Sequence, residues 1–249
     1  MVTELKLWIK EEQKKSILEE CFFTSPLKIG MPQKNKETLH LILMMASPGV
    51  LKGDSFAYDI WCKENSKVLI TEQSYTKLFD MGKGTAEKNL NIRLEKGASL
   101  FYRPCAVIPF RGSWFDGMTQ VELDKESEFF YSDLVTAGRI GMGEKFAFRH
   151  YRSRVCVSVD GQPVWLEQCL LEPEQMDLTN MGFFDHFTHQ GTLYYYGPTE
   201  KIEEILQYET NRQVAYGRSL AAKGVCVRIL AQNAQDIEEV LDEIAAKLE

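Results

Sequence analysis

Several short stretches of this chain carry residue types that could do chemistry. Gly82-Lys83-Gly84-Thr85 has the look of a phosphate-binding loop. Such a loop needs a glycine six residues before its lysine, so that successive backbone N–H groups can wrap the phosphates. Position 77 is lysine, and the stretch reads as a β-turn. Gly138, Gly141 and Gly143 give the order GxxGxG, the reverse of the dinucleotide fingerprint. The following Phe146 to Val159 patterns as strand, where a dinucleotide site needs a helix N-terminus. Asp185, His186 and His189 place three N/O donors close together. On one helical turn the two imidazoles could share a metal, and nickel and zinc accept imidazole and carboxylate readily. Glycines at 182 and 191 argue for a loop instead, and no Cys or His motif completes the four ligands of a tight structural site. The three stand as candidates, with an ordinary polar loop as the alternative. No GxSxG elbow is present, and none of His40, His150, His186 and His189 lies in a triad context. Paired-carboxylate catalysis stays open, because such partners meet in space and not in sequence. A carbohydrate-active or ligand-binding β-sandwich would gather Trp61, Trp114 and Trp165 around two acids. Glu122, Asp124, Glu126 and Glu128 read as a solvated strand and turn.

Polar residues in apolar or glycine-rich surroundings form a further set. Gly53-Asp54 follows Ser47-Pro48-Gly49-Val50-Leu51; Thr71-Glu72-Gln73-Ser74 and Lys77 follow Val68–Ile70; Arg139 and Glu144 bound the Gly138–Gly143 loop. Alone they are equally turn residues and buried ion pairs.

Bulk properties limit the options. The chain has 249 residues and a net charge of −7, enough length for one large β domain or two small ones. Nucleic acid binding needs a basic stripe; the densest basic stretch, Lys145 to Arg154, fits a solvated strand face, so nucleic acid is not expected. The cysteines Cys21, Cys62, Cys105, Cys156, Cys169 and Cys226 form no CxxC pair and sit mostly beside apolar residues, as reduced core thiols do. Met1 to Lys15 lacks the apolar stretch of a secretory signal, and no apolar run has the length of a membrane span. A cytoplasmic protein is expected.

The elements that would position these residues are mostly strands. Phe56, Tyr58, Ile60 and Cys62 alternate with smaller or polar residues, as do Leu90, Ile92 and Leu94, and Val155, Val157 and Val159; period two marks a strand with one buried face. Leu39–Met45 reads as a short, almost wholly apolar run, consistent with burial on both faces. Asp160-Gly161 between two strand runs predicts a hairpin, and Lys96-Gly97-Ala98 makes a similar break. Between residues 20 and 196 there are about ten such segments and no helix longer than two turns. Beyond a strand at Thr192–Tyr196, Pro198-Thr199 opens a helix with Ile202, Ile205 and Leu206 on one face, which Lys223-Gly224 stops. Val225–Leu230 is again a strand. Asn233, as N-cap with Asp236 at N3, starts a helix carrying Ile237, Val240, Leu241, Ile244 and Leu248. The expected organisation is a strand-rich body over 1–191 with a C-terminal strand-helix-strand-helix segment over 192–249, docked on it as one continuous domain.

The succession SPGVLKGD (47–54), TEQSYTK (71–77), RPCAVIPF (103–110), GRIGMGEKF (138–146) and DGQPVWLE (160–167) resembles the urease accessory protein family UreD, also called UreH, well over residues 40 to 175 and loosely beyond. The resemblance implies a mainly β fold, a two-layered, supercoiled, β-helix-like sheet body with a small α/β C-terminal part. It implies no catalysis of its own, but a scaffold and metallochaperone component. Such a component binds UreF, which recruits the GTPase UreG, and docks on the apo-urease subunits to support nickel insertion. GTP hydrolysis would belong to UreG; no cofactor would be tightly bound, and Ni²⁺ would be met only transiently. Gly53, Asp54, Glu72, Gln73, Lys77, Arg139 and Glu144 occupy the family's polar motif positions, as partner contacts or ion path. Asp54 and Glu144 are the carboxylates expected to meet a hydrated passing ion or to hold the body together. The chain departs from the family at Ser47-Pro48-Gly49, where a double glycine is common, and at Phe79, where a tyrosine often stands.

Overall fold

The computed structural model describes residues 2–31 and 37–248. Among the described residues there are seventeen strands and two α-helices. In chain order they are β1 (Val2–Glu12), β2 (Lys15–Phe23), β3 (Leu27–Gly30), β4 (Leu39–Met45), β5 (Ser55–Cys62), β6 (Lys67–Glu72), β7 (Thr76–Leu78), β8 (Ala86–Leu94), β9 (Ser99–Arg103), β10 (Val107–Pro109), β11 (Trp114–Leu123), β12 (Glu128–Thr136), β13 (His150–Val159), β14 (Gln162–Leu171), β15 (His189–Tyr196), α1 (Thr199–Gln207), β16 (Ala215–Leu220), β17 (Val225–Ala231) and α2 (Ala234–Leu248).

Alternate strands go to opposite layers. One sheet has the order β14-β13-β11-β8-β5-β1-β2 and the other β16-β17-β15-β12-β9-β6-β4-β3. From β4 to β13 each coil of chain contributes one strand to each sheet, and like strands pair in parallel. The body is therefore a two-layered β-solenoid, mainly β as the family resemblance implies, with a small α/β part at its C-terminal end. The coils close at two narrow edges. At one, four-residue turns at Lys63–Ser66, Glu95–Ala98 and Asp124–Ser127 stack through backbone bonds such as Ser99 N to Ser66 O, 2.8 Å. At the other, turns at Leu51–Asp54, Met81–Gly84 and Phe110–Ser113 stack likewise, with Gly53 N donating to Thr85 O at 2.8 Å. Beside these, β7 and β10 pair in parallel, and β10 joins β12 through Val107 and Val135, forming a short third wall.

Period-two burial drives this arrangement. Leu5, Leu7 and Ile9 of β1, Phe56, Tyr58 and Ile60 of β5, and Leu90, Ile92 and Leu94 of β8 all face inward and are buried. The Lys96-Gly97 break is a corner that passes the chain from one sheet to the other, whereas Asp160-Gly161 is a true hairpin turn between β13 and β14. Both of its residues have positive φ, 50° and 74°, as a two-residue type I′ turn demands. β12 is buried on both faces, because α2 covers its outer side. Leu39–Met45 is less enclosed than its composition suggests: Leu39, Leu41 and Leu43 are buried, but His40, Ile42 and Met44 are half-exposed.

Three further expectations change. The count of strands from residue 20 onward leaves out β1, which carries the same alternation under a dense cover of charge. The first C-terminal helix ends at Gln207 and not at Lys223-Gly224; Ala215–Leu220 is an edge strand hairpinned onto β17. Cys21 is an exposed thiol on β2, while Cys62 is buried and the other four are half-buried. The second helix starts as read: Asp236 N donates to Asn233 Oδ1 at 2.9 Å, satisfying one of the donors a helix N-terminus leaves open. No helix among the described residues is long and apolar enough to cross a membrane.

Candidate functional site: a polar seam between the sheets

Because the strands pair in parallel, inward-facing residues line up in rows across each sheet. In the first sheet one inward row reads Phe56, Lys88, Gly117, Ser153, Cys169, and the next contains Tyr58, Leu90, Thr119, Val155 and Glu167. In the second sheet Ile70, Tyr102, Tyr131 and Tyr194 share a row. Two residues further along their strands stand Glu72 and Asp133, the latter in register with Thr192 and Arg228. The polar rows face one another across the core. From β6 to β17 they span four strand spacings of about 4.8 Å, roughly 19 Å.

Ion pairs and hydrogen bonds cross the gap. Lys88 Nζ lies 3.6 Å from Glu72 Oε1, Ser153 Oγ donates to Asp133 Oδ2 at 2.9 Å, and Arg228 pairs with Glu167 while donating to Thr192 Oγ1 at 2.8 Å. Between them run three cavities. The first, about 190 Å³, opens beside Ser47, Gly49 and Lys77 and reaches Glu72 and Lys88. The second, about 70 Å³, runs from Glu72 and Lys88 past Gly117 to Asp133 and Ser153. The third, about 10 Å³, continues from Asp133 and Ser153 to Glu167, Cys169 and Thr192. Each shares wall residues with the next, so the three lie side by side along one polar seam. Its narrow part holds roughly one water.

Electrostatics follow from depth. Burial pushes the Glu72 and Asp133 carboxyls above the usual range, opposed by Lys88 at Glu72 and by the Ser153 hydroxyl at Asp133. Burial alone would lower the Lys88 ammonium, but Tyr102, Glu72 and Tyr58 beside it reverse the direction and hold it raised. An ion pair ordinarily lowers its acid; here the loss of water around Glu72 outweighs the lysine's pull. Burial also raises the hydroxyls of Tyr58, Tyr102, Tyr131 and Tyr151 and the Cys169 thiol, the latter to about 12. The seam thus offers carboxylate, hydroxyl and thiol donors on two facing walls, with one ammonium and one guanidinium among them.

The residues singled out from sequence fall in different places. Glu72 lines the seam, and Lys77 borders its wide end from β7. Gln73 is exposed, its N–H bonded to Leu43 O at 3.0 Å. Gly53 and Asp54 make the first stacked corner: Gly53 has φ +78°, and Asp54 Oδ2 accepts from Leu51 N at 2.8 Å. Arg139 and Glu144 clasp each other around the loop after β12, Arg139 lies 4.3 Å over the Phe110 ring, and Glu144 Oε2 accepts from Arg111 N at 3.3 Å. The Arg139 guanidinium holds the Glu144 carboxyl below its usual range. These carboxylates brace the edge that carries the third wall; neither borders the three cavities. Gly138 has φ +127°, and a Cβ there would lie 2.8 Å from Glu144 O. Gly138→Ala should therefore lower the unfolding free energy by about 1–3 kcal/mol, read as a reduced urea midpoint with unchanged m-value.

Asp185, His186 and His189 do not converge. Asp185 and His186 are exposed and bonded to each other at 2.8 Å, whereas His189 is buried in β15 with Nδ1 2.8 Å from Thr188 Oγ1. Burial lowers the His189 pKa. No group of three or more His, Cys, Asp or Glu side chains among the described residues is arranged to hold a metal. The tryptophans are scattered too: Trp165 stacks on Tyr194 at 4.5 Å inside the body, Trp114 on His150 at 4.4 Å, and Trp61 bonds Glu95 through Nε1 at 2.9 Å. Sequence reading overlooked Lys88, Asp133, Glu167, Cys169 and Arg228 as site residues. A signal existed for two of them. Lys88 is the one charged residue on the inward phase of β8, and Asp133 interrupts an otherwise apolar inward phase of β12.

Comparison with known proteins agrees with this architecture's origin. The profile of the UreD urease accessory protein family matches residues 2–249. The chain is 33% identical over 247 residues to the urease accessory protein UreD of Acetivibrio thermocellus, covering 96% of this chain and 94% of that protein. It is 31% identical over 231 residues to UreH of Helicobacter hepaticus, covering 93% and 92%. A third relative, UreH of Helicobacter pylori strain P12, is 29% identical over 232 residues, covering 92% and 88%. With its whole length matched and its solenoid built as the motifs imply, the chain belongs to the UreD family of urease accessory proteins.

Proposed function

We propose that this protein is a non-catalytic scaffold and metallochaperone component that, with UreF and the GTPase UreG, binds the urease apoprotein in the cytoplasm and supports nickel insertion. The seam is then a route for the ion, with Glu72, Asp133 and Glu167 as successive carboxylates along it. The succession of the three adjoining cavities, with Glu72 on the wall between the first two and Asp133 on the wall between the last two, carries the reading. Spaced single donors suit passage, because a closed set of imidazoles and thiolates would trap nickel. GTP hydrolysis is assigned to UreG, and nickel is cargo here, not a resident cofactor. The exposed thiol and the half-buried ones fit a reducing compartment.

Deleting the gene in a urease-producing cell tests this. Urease activity should fall to background at ordinary nickel and recover at most partly with added nickel, and the tagged protein should co-purify UreF, UreG or urease subunits. Fully metallated urease in the deletion strain would end the proposal. The same holds for equilibrium dialysis revealing one sub-micromolar nickel site in the isolated wild-type chain.

A further inference from the structure

Lys88 stands at the junction of the two larger cavities and lines both. Its ammonium is 3.6 Å from Glu72 Oε1, 3.5 Å from the Tyr102 hydroxyl and 5.1 Å from the centre of the Tyr58 ring. A carboxylate, a hydroxyl oxygen and an aromatic face are the partners that a bound cation selects. The two polar contacts lie at the long end of their range, and 27% of the side chain is exposed. The group is held loosely. Lysine's four-carbon stem turns easily, and the wider cavity of about 190 Å³ beside Ser47 and Gly49 has room for the displaced head.

We propose that Lys88 is a tethered cation that fills a cation site of the seam, so that the passage carries its own plug. An ion arriving from the wide end meets a positive charge at the narrowing. It advances only when the ammonium swings aside and hands over Glu72 and the Tyr102 hydroxyl. Asp133 is the next carboxylate beyond the plug. Ordinary solution cations are thereby kept out, since the internal one is always present at high effective concentration. The groups facing Lys88 from both sheets, Tyr58, Glu72, Tyr102 and Asp133, include no other cation. Removing the ammonium would leave the Glu72 carboxyl without its counter-ion, to be neutralised by a proton or by an incoming cation, and Ni²⁺ competes for that place.

The inference rests on reading the seam as a cation path, but its test needs no urease. Lys88→Met and Lys88→Gln, purified as full chains and checked by circular dichroism, are titrated with Ni²⁺ by isothermal calorimetry beside wild type. Both neutral variants should bind Ni²⁺ at least about tenfold more tightly than wild type. Lys88→Arg should behave like wild type, and the Glu72→Gln/Lys88→Met double variant should lose the gain. Folded neutral variants with wild-type affinity would overturn the proposal, as would a gain that survives in the double variant. Failure of both neutral variants to fold would overturn it equally, because a plug that swings aside cannot be a condition of folding. A plug that fails this test while Asp133 substitutions still impair urease activation would leave the path standing.

Discussion

Asp133→Asn should reduce nickel-dependent urease activation by about tenfold or more while leaving the protein at least as stable at neutral pH. The carboxyl is buried between the sheets and bonded to the Ser153 hydroxyl, and burial raises its pKa. The folded state therefore binds this proton more tightly than the unfolded state does. Stability contributed by the group is full below the ordinary aspartate value and is lost as pH rises from there through the raised folded value. Above that window the wild type holds a desolvated charge, and asparagine, which still accepts from Ser153, does not. The variant's unfolding free energy should lack the corresponding decline when urea melts are collected between acid and neutral pH. Activation is read as urease activity in cells supplied with nickel. A variant that is stable but inactive separates passage from folding, a separation seen where function and stability compete. Full activation by Asp133→Asn would remove Asp133 from the path.

Phe130→Ala should cost about 3–5 kcal/mol, a large share of the roughly 5–15 kcal/mol that holds a domain together, and lower the melting temperature by roughly 6–20 °C. Phe130 is fully buried on the outer side of β12, stacked on Phe101 at 5.1 Å and 6°, in the cluster that seats Ile237, Val240, Leu241 and Ile244 of α2. Phe129, next to it, points the other way, into the core between the sheets. The two truncations should be similar in size and different in kind. Hydrogen exchange in Phe130→Ala should rise first in α2, whose apolar seat the ring helps to form, whereas Phe129→Ala should raise exchange along the central strands. Equal protection patterns in both would show that the C-terminal helix and the solenoid open as a single unit.

Much of the body was legible because the signals were local. Asp160-Gly161 demanded positive φ twice over, and the alternation of Phe56 to Cys62 left one face for the core. Asn233 with Asp236 announced the last helix. β1 carried an equally clear alternation in Leu5, Leu7 and Ile9, hidden by the charges of Glu4, Lys6 and Lys10 around them. The stretch after Gln207 misled, because no glycine or proline marks the helix end and the Lys223-Gly224 signal belongs to a hairpin. The seam was hardest to read. Glu72 stood out only through its motif, and Lys88 and Asp133 each looked like single polar breaks in a buried phase. That they belong to one line depends on how many residues each coil takes to return to the same sheet. Corner lengths set that count, and no local pattern reports it.

The stacked corners also bear on leakage. In a sandwich of two separate sheets, a guest between the layers can escape sideways if the sheets part at an edge. Here both long margins are fastened by the polypeptide itself, bend above bend, through the turns at 63–66, 95–98 and 124–127 on one side and at 51–54, 81–84 and 110–113 on the other. Parting the layers means stretching covalent chain at each of these turns, so the gap between the sheets keeps its width at every one of them.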